Sequence, residues 1–209
     1  MKRLVLVLIC AVIVGFSGTP AAAYDYKVDD PYVATIVGTP EVLEWDKLPK
    51  KVDYELLGLK VFPDRPMPDV FWYQREFLYT LSYQKQEAPL IFVIAGTGSS
   101  FYSSSMIFLQ KAFWGAGFHV ICLSSPTQMN FITMASATCV PGNIAEDSQD
   151  LYRVMTKAWE QVKDRIKVSE FYLTGYSLGA SQAAFVSKLD EEKRVFNFKK
   201  VCMINPSVS

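Results

Sequence analysis

The 209-residue sequence holds a single histidine, His119, and this scarcity rules out a good deal of chemistry. One histidine gives no H-E-x-x-H pair, and the four cysteines, Cys10, Cys122, Cys139 and Cys202, form no C-x-x-C set, so neither a metal nor a cofactor is expected. Charge of one sign is lacking too. With 21 Lys and Arg against 21 Asp and Glu, there is no basic excess to hold nucleic acid. The longest apolar run, Leu4 to Phe16, falls short of the roughly 20 residues that cross a bilayer. Internal repeats and low-complexity tracts are absent. What is abundant is core material: 50% of residues are hydrophobic and 14% aromatic, far from the composition of disordered chains.

The amino terminus reads as a secretory signal peptide over residues 1–23. Met1-Lys2-Arg3 is a positive start, Leu4 to Phe16 an apolar run, and Pro20-Ala21-Ala22-Ala23 offers an A-x-A end, with cleavage expected after Ala23. The expected location is periplasmic or secreted, with no stable membrane span after cleavage. Cys10 lies inside the apolar run behind Ile9, where a lipoprotein signal wants a small residue, so it leaves with the signal. Losing Lys2 and Arg3 leaves 19 basic and 21 acidic residues in a nearly neutral mature chain of one domain. Tyr24 to Lys51 reads as an extended lead-in whose function is unreadable.

From Val52 the pattern becomes regular. Tyr54–Phe62 and Arg75–Tyr83 suit an antiparallel hairpin across the turn-rich Pro63–Asp69 link. Ala88 to Ala95 is continuously apolar, as expected of a central strand buried on both faces. After Gly96-Thr97-Gly98-Ser99-Ser100 come a helix over about Ser104–Trp114, stopped by Gly115 and Gly117, and the strand His119–Leu123, which together make a βαβ unit. A loop over Ser124–Gly142 leads to Asn143, a helix N-cap with Glu146 three residues on. Leu151, Val154, Met155, Ala158, Val162 and Ile166 then mark an amphipathic helix. A final strand covers Lys199–Ile204.

The chemical signal is Phe171-Tyr172-Leu173-Thr174-Gly175-Tyr176-Ser177-Leu178-Gly179-Ala180. An apolar strand breaks into a glycine-flanked serine and runs straight into a helix rich in small residues, with Ala180, Ala183 and Ala184 expected to keep one face slim. Glycines two positions either side of the serine remove side chains that would crowd a tight turn. The helix begins at Ser177, so its unpaired amides lie beside the hydroxyl where an oxyanion would form, and the Leu178 N–H is the natural first donor. Chance alone yields on the order of 0.07 such G-x-S-x-G spacings per chain of this length. The strand before, the helix after and the second glycine-rich loop at 96–98 raise the signal above that background.

In this context the segment from about Val52 to Ser209 resembles the α/β-hydrolase superfamily, anchored on the nucleophile elbow Gly175-Tyr176-Ser177-Leu178-Gly179. The resemblance implies an α/β fold: a three-layer, mostly parallel sheet with helices on both faces, incomplete at the C-terminus. It implies Ser177 as the nucleophile and a second oxyanion donor from the 95–100 loop, for which Thr97 is the candidate. Many relatives carry His-Gly where this chain has Ala95-Gly96. If the superfamily's strand order holds, the strands of Cys122 and Cys202 are separated by two others, beyond disulfide reach, and both are expected to be buried. Cys139 is left either to pair with Cys122 or an outside cysteine, or to stay a free thiol.

The expected function is an exported serine hydrolase acting on a small-molecule or lipid-like acyl substrate. A serine hydroxyl needs a general base, and in this superfamily an Asp or Glu and then a His follow the serine. His119 precedes it and starts its strand, so a structural role is expected. Only 32 residues follow Ser177, so the acid and base are expected beyond a truncated end, and the chain alone is expected to be inactive. The alternative is a catalytically dead binding or accessory protein. Phe101, Tyr102, Met129, Asn130, Phe131 and Met134 fall on loops near the expected site mouth, where an acyl-binding wall and core or lid packing fit equally well.

Overall fold

Alternation of side chains along β3 (Ala88–Ile94) organises the molecule, because its odd and even residues feed two separate cores. The computed structural model describes residues 30, 32–33, 48–66, 69–73 and 75–207. The proposed signal peptide and most of the lead-in lie outside the described residues. The chain divides into two units, Met1–Asp46 and Lys47–Ser209. In the first, the Asp30 carboxylate accepts the amides of Tyr32 and Val33 at 2.8 and 3.2 Å.

The second unit holds a mixed sheet. Its strands are β1 (Glu55–Leu59), β2 (Phe77–Ser82), β3, β4 (His119–Leu123), β5 (Val168–Tyr176) and β6 (Lys200–Ile204), in the spatial order β1-β2-β4-β3-β5-β6. β4, β3, β5 and β6 run parallel, and β1 and β2 form the antiparallel hairpin, both strands shorter than the sequence pattern predicts. The helices are α1 (Ser104–Gly115), α2 (Met129–Met134), α3 (Ile144–Val162) and α4 (Leu178–Lys193). α2 interrupts the expected 124–142 loop, and its start is capped by Gln128, whose Oε1 accepts the Asn130 amide at 2.7 Å.

One face of the sheet presents Ile91, Val93, Val120 and Cys122 to Met106 of α1. The other presents Leu90, Phe92, Ile94, Ile121, Leu123 and Leu173 to Leu151, Val154, Met155, Ala158 and Val162 of α3 and to Ala183 and Val186 of α4. This is the three-layer arrangement, and it explains why β3 reads as an unbroken apolar run. Asn143 caps α3 as expected, its side chain accepting from Ala145 and Glu146. At the far end of α4, buried Asp190 accepts the Tyr152 hydroxyl at 2.7 Å and the Phe196 amide at 3.0 Å, tying α3, α4 and the turn into β6 together.

Two expectations need correction. Cys202 is exposed, not buried, because β6 is the outermost strand and solvent reaches its flank; Cys122 is buried, and burial pushes its thiol up to about 12. β3 and β5 do lie between the two, and the thiols of Cys122, Cys139 and Cys202 are all unpaired. Ala184 is exposed, so the slim face of α4 is formed by Gly179, Ala180 and Ala183.

His119 is fully buried at the amino end of β4, level with Leu90. Its Nδ1 accepts the Gln84 amide and its Nε2 donates to the Lys167 carbonyl, both at 3.0 Å, which fixes a neutral ring. Burial lowers its pKa from 6.5, only partly opposed by the Lys167 hydrogen bond. As pH drops below 6.5 the unfolded chain takes up a proton that the fold refuses, so this histidine's contribution to stability falls until the lower folded pKa is passed. Denaturation of wild type and His119→Asn between pH 7 and 5 should show an extra acid loss in wild type, at most about 1.4 kcal/mol per pH unit. Parallel profiles for the two proteins would contradict this role.

Candidate active site

Ser177 occupies the one-residue bend between β5 and α4, with φ 53° and ψ −126°. A non-glycine residue rarely adopts this backbone, and holding it there costs on the order of 1–3 kcal/mol. The surroundings enforce it. The Ser177 amide donates to the Ile204 carbonyl of β6 at 3.0 Å, while its own carbonyl accepts from Ala180 at 3.0 Å and Ser181 at 3.4 Å. The amides of Leu178 and Gly179 therefore stand ahead of the first hydrogen-bonded turn of α4, at the positive end of its dipole.

The two flanking glycines mark contacts between backbones. A Cβ on Gly179 would lie 2.6 Å from the Ala95 carbonyl oxygen and nearer still to that of Ile94. One on Gly175 would lie 2.9 Å from the Ala180 nitrogen and nearer to the Gly179 carbonyl. The head of α4 is thus seated directly on the carboxyl ends of β3 and β5. Gly96 closes the arrangement from the other loop: a Cβ there would meet the Tyr176 ring at 2.7 Å and the Ser177 Cβ at 3.2 Å. The half-buried serine and the 96–98 bend consequently share one rim of the sheet.

In that bend Gly98 donates to Thr127 Oγ1 at 2.7 Å and Ser99 to the Gly96 carbonyl at 3.0 Å. The amide of exposed Thr97 has no acceptor among the described residues. The bend is held by a hydroxyl network that the motif did not disclose. Tyr176 donates to Ser99 Oγ, which donates to Ser103 Oγ, each at 2.8 Å. From the loop after β4, Ser124 Oγ accepts the Phe101 amide at 3.0 Å, the Ser125 amide reaches the Ser99 carbonyl at 3.0 Å, and the Ser125 and Thr127 hydroxyls meet at 2.9 Å. The signal was the density of Ser and Thr after both β3 and β4, where buried hydroxyls are held to partners.

Among the described residues, the groups a serine would need for proton transfer are committed elsewhere. His119 lies four residues below Leu123, which is level with Ile94 and Gly175, so it is roughly 13 Å down the strand from this rim. Asp147 and Asp150 stand at the head of α3 but hold loops. Asp147 Oδ2 accepts the Gly142 amide at 2.9 Å, and burial raises its carboxyl above the usual range. Asp150 accepts the Ala137 amide at 2.7 Å and pairs with Arg153. Of the aromatic wall candidates, Phe131 and Met134 are buried in the core, Asn130 is bonded to β2, and Tyr102 and Met129 are exposed. Among the described residues no group of His, Cys, Asp and Glu could hold a metal, and no helix is long and apolar enough to cross a membrane.

No protein-family model and no curated protein sequence matches the chain. Solved structures do. It is similar to brefeldin A esterase, a bacterial homologue of human hormone sensitive lipase, with TM-score 0.54 and 11% identity over 76% of this chain and 41% of that one. It is also similar to a dienelactone hydrolase from Anabaena variabilis, with TM-score 0.51 and 14% identity over 72% of this chain and 62% of that one. At these identities the likeness is one of fold, and the fold is that of the α/β-hydrolases. The chain spans less than two thirds of the length of either structure.

Substituting Gly179 or Gly175 by Ala should cost about 3 kcal/mol, since a methyl must push α4 off the sheet, and should lower Tm by roughly 10 °C. Ala184→Ser on the exposed face of the same helix should stay within about 0.5 kcal/mol. Thermal melts of the three variants check this, and a melt of Gly179→Ala indistinguishable from wild type would refute the close contact.

Proposed function

We propose that this chain carries the nucleophile and the oxyanion donors of an exported serine hydrolase acting on a small-molecule or lipid-like acyl substrate. The single observation behind the reading is the strained Ser177 bend, wedged between Gly175 and Gly179 with free helix amides beside it. Ser177 Oγ attacks the acyl carbonyl and its proton passes to a base. The carbonyl electrons move onto oxygen, which the Leu178 and Thr97 amides receive, and collapse expels the leaving group to give an acyl-serine. Water then releases the acid and restores the hydroxyl. Ester, thioester and amide substrates all suit this sequence of steps.

The base is the part that the described residues do not supply at the site. His119 is the only histidine, buried and committed through both nitrogens at the opposite end of its strand. In this reading the acid and the histidine come from outside the 209 residues, and without them a factor of about 10²–10⁴ in rate is lost. That same absence favours the second reading, an inactive hydrolase-like binding or accessory protein.

A fluorophosphonate probe separates the two in the full-length gene product. The enzyme reading expects stoichiometric labelling of Ser177, abolished in Ser177→Ala; an unlabelled, folded product leaves the accessory reading. Ser177→Gly should also abolish labelling while relieving the positive φ, raising stability by about 1 kcal/mol and Tm by about 3 °C, whereas Ser177→Ala keeps the strain and melts as wild type. A lower Tm for Ser177→Gly than for Ser177→Ala would contradict the strain argument.

A further inference from the structure

A groove of about 380 Å³ opens on the side of the 96–103 loop facing away from β5, where that loop meets the segment leading into β2 and the start of α2. β2 runs antiparallel to β4, with Thr80 opposite Cys122 and Ser82 opposite Val120, so the start of β2 lies at the same rim as the end of β4. The groove therefore shares the rim of Ser177. It is reached along one short loop, whose Gly96 abuts Ser177 and whose Ser100, Phe101 and Tyr102 form the groove wall.

Its shape is fixed by polar groups that are already spent. Asn130 Oδ1 accepts the Leu78 amide at 2.9 Å and its Nδ2 donates to the Glu76 carbonyl at 3.0 Å, pinning α2 to β2; Gln128 caps α2. The Phe101 amide is held by Ser124 Oγ. What remains for a ligand is aromatic surface, the Ser100 hydroxyl, the Glu76 carboxylate and one cation. Phe101 is buried and meets Tyr102 edge to face at 4.9 Å, while Tyr102 and Tyr73 are each 60% exposed, and Leu78 adds an apolar floor.

The cation is Arg75. Arg65 is bonded to the carbonyls of Thr133 and Ser136, Arg153 pairs with Asp150 and Arg165 with Glu55, but exposed Arg75 has no such partner among the described residues. The nearest acid in sequence, Glu76, also lines the groove, yet its side chain lies over Gly58 of β1, its Cδ 3.0 Å from where a Cβ would stand there. The carboxylate thus extends over Gly58 on the β1 side of the groove. An unpaired guanidinium fork beside open aromatic faces fits a planar ring that carries an anion.

We infer that this groove is the subsite for an aromatic carboxylate group of the substrate, with the ring against Tyr102, Tyr73 and Phe101 and the anion on Arg75. The assignment deepens the proposed function and rests on Ser177 being its nucleophile. Tyr102 and Arg75 are specificity-determining residues here, with no part in bond making.

Equilibrium titration of the full-length product tests it with three probes: benzoate, the neutral aromatic benzyl alcohol, and the aliphatic anion cyclohexanecarboxylate. Benzoate should saturate a single site and bind Ser177→Ala as well as wild type. Arg75→Gln should weaken it about tenfold, as expected for a charge-assisted hydrogen bond, and Tyr102→Ala about fivefold. Both other probes should bind at least several-fold more weakly than benzoate. Unsaturable benzoate, equal affinity in Arg75→Gln and wild type, or cyclohexanecarboxylate binding as well as benzoate would overturn the assignment. The two failures are distinguishable: Ser177 labelling without benzoate saturation sinks the groove alone, and benzoate saturation without labelling sinks the nucleophile and with it the groove's role as a substrate subsite, leaving only a binding groove. Arg75 and Tyr102 are exposed, so neither variant threatens folding.

Discussion

The contact between the first turn of α4 and the carboxyl ends of β3 and β5 is the constraint on which the rest of the site depends. Gly179 brings helix backbone against the carbonyls of Ile94 and Ala95, and Gly175 leaves the strand open to the same turn. With the helix seated this low, the chain has a single residue in which to reverse from strand to helix, and that residue must take positive φ. The strain at Ser177 and the bare amides of Leu178 and Gly179 both follow from that seat. Burial of Ala183 and Val186 in the α3 and sheet core offsets the strain.

A seat built from backbone would be of little use if the facing loop could move. Tyr176 links the two: its ring lies against Gly96 and its hydroxyl begins the chain through Ser99 to Ser103 at the cap of α1. The loop after β4 adds Ser124, Ser125 and Thr127, which take up the amides of Phe101, Gly98 and Thr127 itself. At roughly 1 kcal/mol per hydrogen bond this network contributes modestly to stability. Its larger consequence is positional, since it decides which amides of the bend are consumed and leaves Thr97 uncommitted.

The parts of this architecture that were legible in the sequence are those set by neighbours in the chain. β3 had to be central because every residue from Ala88 to Ala95 is apolar or proline, and the elbow was readable because two glycines and a serine in five positions record a backbone contact directly. The parts that were not legible depend on distant segments. α2 is six residues long, too short for the Phe131 and Met134 spacing to announce a helix, and it is held by the Gln128 cap and by Asn130 bonding to Leu78, 52 residues away. Cys202 lies on an apolar strand, and only the strand order makes it an exposed edge residue. Tyr176 reads in the sequence only as a member of the elbow, because its hydroxyl partner Ser99 lies 77 residues upstream.

The same division separates the two halves of a serine hydrolase's chemistry. Stabilising an oxyanion takes amides whose positions are set by a helix terminus and a turn, and a short run of local sequence suffices to specify such elements, as it does the turn at 96–98 and the helix start after 177. Moving a proton takes a side chain of suitable pKa brought to the hydroxyl from elsewhere in the fold, and no local pattern encodes that meeting. His119 illustrates the point from the other direction. It is the residue type the chemistry wants, yet its ring spans Gln84 and Lys167 at the far end of β4, where burial keeps it neutral. Its position in the sheet assigns it to tying the amino end of β4 to the segment after β2 and the one before β5, and the type of residue alone would have assigned it to catalysis.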